Sequence, residues 1–221
     1  MQVTGTIGAD VDEFSIEGGP DSVEIYADWD EWDDWNEDDR GENRRQRWRG
    51  RNHQDVDVSI EIRVPHGARL EINGVTTSVH VEQVHGSIEI ETVTGTIEYS
   101  GNATVLELAT VTGSITAITG PLMEGSFETV NGEIRFEGGV ARGAELYFEA
   151  VNGGIELLLP ADVSASFDVE TMTGEIVNDF GEQPRRTSRW VPSQELSFRT
   201  GSGDADISVE TLQGAVRIRR Q

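Results

Sequence analysis

The chain has 221 residues, no cysteine, and 41 acidic against 17 basic residues, a net charge of −24. These numbers exclude disulfides and thiolate metal sites, deny the chain the basic footprint of a nucleic-acid binder, and describe a very soluble acidic surface. Every basic residue is arginine, and no apolar run is long enough for a transmembrane helix.

Met1 to Ile7 has neither a charged n-region nor an apolar h-region, so it does not read as a signal peptide. It resembles a coil fragment already in progress, which fits either a cytoplasmic protein or a chain given without its export segment. Phe14-Ser15-Ile16 and Val23-Glu24-Ile25 alternate as strands around a turn from Gly18 to Asp21. The pattern breaks at Ala27. A first insertion, 27–54, holds an acidic arm with Trp29, Trp32 and Trp35, then a basic arm with Trp48 among Arg40, Arg44, Arg45, Arg47, Arg49 and Arg51. The arms can pair through opposite charge or stay disordered in isolation. Alternation resumes from Val56 to Val64, Pro65-His66-Gly67 makes a turn, and Leu70-Glu71-Ile72 enters a repeat array.

The array repeats one string: apolar, x, apolar, x, Thr, Val, x, Gly, x, Ile. It reads Ile88, Ile90, Thr92, Val93, Gly95, Ile97, then Leu106, Leu108, Thr110, Val111, Gly113, Ile115, then Phe127, Thr129, Val130, Gly132, Ile134. It returns at Leu146–Ile155, Phe167–Ile176 and Ile207–Val216, with a weaker copy at Leu196–Gly203. Side chains alternate in a strand, so the apolar–Thr set and the Val–Gly–Ile set have opposite parity. Both face inward only if the chain bends between Thr and Val, and the glycine there suits close backbone approach. Thr92, Thr110, Thr129, Ala150 and Thr171 stand 18, 19, 21 and 21 residues apart. A repeat near 20 residues that cannot bury its inner face alone implies stacking. The expectation is an all-β chain, a single parallel β-solenoid (β-helix) domain over 1–221, with coils of 18–21 residues and two insertions. A β-sandwich is the alternative. The second insertion, 178–194, carries Arg185, Arg186 and Trp190, and the closing arginines of Val216–Arg220 would blunt a terminal edge.

All five tryptophans lie in the insertions. Insertions from a solenoid gather on one face, often the binding one, and Trp beside Arg is hot-spot composition. Trp29, Trp32, Trp35, Trp48, Arg185, Arg186 and Trp190 are therefore the candidate binding residues for a protein or glycan; the other reading is that the tryptophans fold down as a lid. The Asp28, Asp30, Asp33 and Asp34 run lacks EF-hand spacing, and Asp204-Ala205-Asp206 is a weaker calcium candidate. Thr-x-Thr strings suggest an ice-binding face, but the first Thr of each should turn inward and bond backbone. His53, His66, His80 and His85 show no metal spacing, and no carboxylate is paired with a positioned arginine as in polysaccharide-cleaving β-helices. The expectation is no enzyme, no cofactor, no metal and no nucleic acid. Self-assembly through coil ends is the competing class.

The run Val56 to Ile72, with Val64-Pro65-His66-Gly67 at its centre, followed by serial Val-x-Gly-x-Ile strings from Val84 to Ile176, resembles a bacterial putative-adhesin β-strand-repeat family of unknown function. The likeness covers the chain except 28–54 and 179–194. It implies a β-helix at the cell envelope, tied to adhesion or envelope stress, and brings no catalytic residues.

Overall fold

The structure is a computed structural model. It describes residues 2–6, 13–18, 23–28, 59–187 and 190–221, the first three stretches and 59–62 by backbone alone. It divides into two units, Met1–Val64 and Pro65–Gln221.

The first unit holds β1 (Gln2–Thr6), β2 (Glu13–Gly18), β3 (Val23–Asp28) and β4 (Ser59–Arg63). β2 and β3 form the antiparallel hairpin that the turn chemistry predicts. β1 pairs antiparallel with β4. Gln2–Thr6 is therefore not a parallel coil fragment: its partner comes from beyond the first insertion.

The second unit is all-β in its described residues and mostly parallel. It holds β5 (Leu70–Thr76), β6 (Val79–Glu82), β7 (Ser87–Thr94), β8 (Ile97–Gly101), β9 (Val105–Thr112), β10 (Ile115–Asn131), β11 (Ile134–Asn152), β12 (Ile155–Leu159), β13 (Ser166–Thr173), β14 (Ile176–Asn178), β15 (Arg185–Arg186), β16 (Gln194–Arg199), β17 (Asp206–Gln213) and β18 (Val216–Arg220). They make one open 14-stranded sheet. One series of rungs runs β5–β7–β9–β10–β11–β17–β13. A second runs β6–β8–β10–β11–β12–β18–β14. The long strands β10 and β11 bend to serve both, through register shifts between Thr119 and Glu124.

The apolar columns meet inside. Leu106, Leu108, Phe127, Phe148 and Val209 are buried on the first series, and Ile97, Ile115, Phe136, Leu157 and Ile218 on the second. The rings of Phe127 and Phe148 stack at 4.7 Å, with Phe136 edge-on to both.

The corner shows why the string contains Thr and Gly. Thr92, Thr110, Thr129, Thr171 and Thr211 are buried, and each hydroxyl donates to a backbone carbonyl of an adjacent rung, of Thr77, Gly95, Gly113, Gly214 and Gly153 in turn, at 3.0–3.3 Å. The glycines sit one above another. A Cβ on Gly95, Gly113, Gly132, Gly153, Gly214 or Gly174 would lie 1.6–2.0 Å from the carbonyl oxygen of the previous rung. Close approach is the requirement. Thr77 occupies the same column on the end rung, where no earlier rung of this unit lies beneath it to meet its side chain.

Three sequence expectations are corrected here. The bend is not between Thr and Val: Val93, Val111, Val130, Met172 and Leu212 are 38–53% exposed, and the chain turns inward only at the following Ile. Rungs do not stack in chain order: β17 and β18 fill the place between β11–β12 and β13–β14, so the terminal Arg217 and Arg219 lie on an interior strand and blunt no edge. The weak copy is a cap running the other way: β16 pairs antiparallel with β13, burying Leu196 and Phe198.

Candidate functional site

The second insertion leaves the sheet after β14 and returns along its edge. β15 pairs antiparallel with β16, setting Arg185 opposite Glu195 and Arg186 opposite Gln194. The Arg185 guanidinium is ion-paired with the Glu195 carboxylate, while Arg186 is exposed. Trp190 is 94% exposed, which does not fit a tryptophan folded down as a lid. The insertion does supply a cap, through a residue that the search for Trp and Arg overlooked. Phe180 lies 6.2 Å from the rings of both Phe167 and Phe198, which stack on each other at 4.4 Å, and the Arg220 guanidinium sits 4.8 Å from its ring centre. Arg185, Arg186 and Trp190 thus share one edge region. Trp29, Trp32, Trp35 and Trp48 lie outside the described residues, as do Asp30, Asp33, Asp34 and His53.

The outer face of the first series is acidic. Register aligns Glu71, Glu89 and Glu107 in one column. Glu128, Glu149, Glu210, Glu170 and Glu195 form another, on five consecutive strands. Glu89 and Glu107 therefore stand in a different column from Glu128 and Glu149, because Glu107 pairs with Ser126 and Ala109 with Glu128. In line with the first column, and beside the second, lies a shallow depression of about 720 Å³ lined by Ser126, Tyr147, Ser208, Ser197 and Asp168 among others. Its hydroxyls turn to the acids: Tyr147 donates to Glu149 at 2.6 Å, Ser126 to Glu128 at 3.0 Å and Ser197 to Asp168 at 2.9 Å. The bond to Glu149 is the main reason the Tyr147 phenol is held far above its ordinary pKa; burial adds to it, as do the charges of Glu149, Glu210 and Glu128. Tyr147 is a fixed hydrogen-bond donor, not a base.

Neighbouring carboxylates on parallel rungs stand ~4.8 Å apart, and like charges directly opposite destabilise a sheet. Glu210→Gln, in the middle of the ladder, is expected to stabilise the protein by about 0.5 kcal/mol at low salt. The gain should fade near 1 M NaCl, where screening reaches about 3 Å. Thermal melts of both proteins across that salt range check it; a loss of stability at low salt would reverse the reading.

The outer face of the second series is mixed in sign. Arg135 is ion-paired with Glu156 and lies 3.5 Å from Glu137, and Arg219 is 2.9 Å from Glu156. His80 lies on this face, 3.1 Å from both Glu82 and Glu98; the bond to Glu82 leads in raising its pKa, against a smaller opposing effect of burial. The His66 and His85 rings are 5.3 Å apart. Asp204 accepts from Ser164 at 3.0 Å and lies 3.7 Å from Arg142, so it serves a turn. Among the described residues no three His, Cys, Asp or Glu side chains gather as metal ligands, and no helix is long and apolar enough to cross a membrane.

No protein-family model matches the chain, and no curated protein does. A solved structure similar to it is that of a putative cell adhesion protein from Clostridium sporogenes, at a TM-score of 0.40 and 12% identity, with 95% of this chain and 76% of that chain covered.

Proposed function

We propose that this chain is a binding protein and not an enzyme, that its residues 65–221 form a β-solenoid, and that the chain presents its Trp- and Arg-bearing insertions to a protein or glycan at the bacterial cell envelope. The observation that carries this reading is Trp190: an indole 94% exposed in the segment joining β15, which carries Arg185 and Arg186, to β16, on an edge that Phe180 and Phe198 already close. An exposed indole in a segment that also carries arginines is suited to a partner's surface. The rigid stack holds that edge in a fixed position. Trp29, Trp32, Trp35 and Trp48 belong to the same proposal through their composition.

The test is capture of a partner from envelope extract by the purified protein, beside a Trp190→Ala/Arg186→Ala variant. The variant should keep its melting temperature and lose at least about ten-fold in affinity for the captured partner, as a hot-spot residue does. Equal capture by both proteins would remove the insertion from the binding surface. Self-assembly is the second reading, and it rests on β5 and β6, each paired on one side only within this unit. Light scattering behind size exclusion separates the two: concentration-dependent oligomers lost on placing Pro in β5 favour assembly.

A further inference from the structure

The valine column that fails to turn inward has a use that packing does not supply. Register places Val75, Val93, Val111, Val130, Val151, Leu212 and Met172 one above another, since the residues on either side of each are paired in order from β5 to β13. Val75 is 71% exposed and Met172 53%. Six steps of ~4.8 Å make a strip about 29 Å long. Strand propensity does not explain it: Thr would serve as well as Val, and Leu and Met are not favoured in strands. The flanks differ. Two residues before the strip runs the carboxylate ladder of Glu128, Glu149, Glu210 and Glu170. One residue after it runs a neutral row that includes Thr94, Thr112, Asn131 and Asn152, where the Asn152 amide donates to Asn131 at 3.0 Å.

We infer that this strip is a docking surface for an amphipathic helix of another protein, one whose apolar seam lies on the valine ladder and whose Lys or Arg residues line the seam on the Glu210 side. Spacing selects a helix over a strand: a helix repeats its seam every ~5.4 Å, near the ~4.8 Å of the rungs, whereas an extended segment repeats every ~6.7 Å. Charge selects the flank, because an apolar seam can settle here only if the ladder beside it gains counter-charge. A second copy of this chain, at −24, brings more acid. An anionic membrane does the same.

The probe is a labelled synthetic helix of about 20 residues, long enough for the strip, with a Leu seam, Lys on one flank and Gln on the other. Two controls replace either its Lys or its Leu residues by Gln. The protein variants are Val93→Ser/Val111→Ser/Val130→Ser and Glu210→Gln/Glu170→Gln, with Arg135→Gln on the opposite face as a control; melting curves establish that each is folded. The first probe should bind at 0.15 M salt. Each control peptide and each strip variant should weaken that binding by at least about ten-fold, a loss of one order of magnitude in Kd, and Arg135→Gln should leave it unchanged. The carboxylate variant should also flatten the salt dependence. Equal binding by the peptide without Leu, or by the valine variant, would reduce the strip to charge alone and overturn the proposal. So would dimers of the protein that dissociate when the valines are replaced, since a second copy would then be the occupant.

Discussion

Gly153→Ala is expected to abolish the stable fold, or to cost at least about 4 kcal/mol where folded protein survives. The added Cβ would stand 1.6 Å from the carbonyl oxygen of Gly132 and 2.6 Å from its carbon, and both belong to backbone. No rotamer relieves a backbone clash, so the rungs must separate. They are tied at that corner: Gly153 N–H donates to Gln213 at 2.9 Å, and Gly132 N–H donates to Asn152 at 3.1 Å. Opening the corner strains both bonds and the Thr211 hydroxyl bond to Gly153. Gly139→Ala is the matched control, with its nearest neighbour 3.3 Å from the new Cβ and an ordinary backbone; it should shift stability by no more than about 1 kcal/mol. Urea unfolding of the two variants decides it. A Gly153→Ala protein as stable as the Gly139→Ala one would mean that the stack has more slack at its corners than these distances allow.

The same corner shows what the sequence can and cannot convey. Strand alternation, the inward Thr and the close-packed Gly are local facts, written in residue type at fixed spacing, and all are present in the structure. The order of the rungs is a different kind of fact. Ile207–Val216 carries the same string as Phe167–Ile176, so either can hydrogen-bond beside Leu146–Ile155; the repeat holds no address that tells one rung from the next. In the structure the last copy is the one beside it. Val93 misled for a related reason. Apolar identity implies burial only on average, and parity alone does not say where in Thr-Val-x-Gly the chain turns. Part of the carboxylate ladder was legible in the string itself, as Glu128, Glu170 and Glu210 before Thr129, Thr171 and Thr211, but its continuity needs the register. Phe180 gave no signal, because nothing in a loop sequence reveals that one of its aromatics faces the end of a core. The mixed second face had no signal either, since Arg135, Glu156 and Arg219 are brought together only by stacking.

Phe148→Ala carries the second large effect, and it probes how the stack holds together. Phe148 is fully buried, stacked on Phe127 at 4.7 Å and edge-on to Phe136 at 5.4 Å. Its truncation leaves a cavity between β10 and β17 and removes two ring contacts, for an expected loss of about 3–5 kcal/mol. Its position sharpens the outcome. β11 stands between the rungs from β5 to β10 on one side and β17, β13 and the β16 cap on the other. In a one-dimensional stack each rung is stabilised by its nearest neighbours, so a weak interface at the middle can uncouple the ends. If the interfaces on either side are strong, the variant unfolds in one transition at lower urea with an unchanged slope. If they are not, it unfolds in two steps with a reduced apparent slope. The half containing β17 and β13 should then melt second, because Phe167, Phe198 and Phe180 close its far end, whereas β5 is paired on one side only within this unit. Amide exchange read strand by strand distinguishes the two cases. A Phe148→Ala protein that unfolds at the wild-type midpoint would show that the three rings do not form the centre of the core.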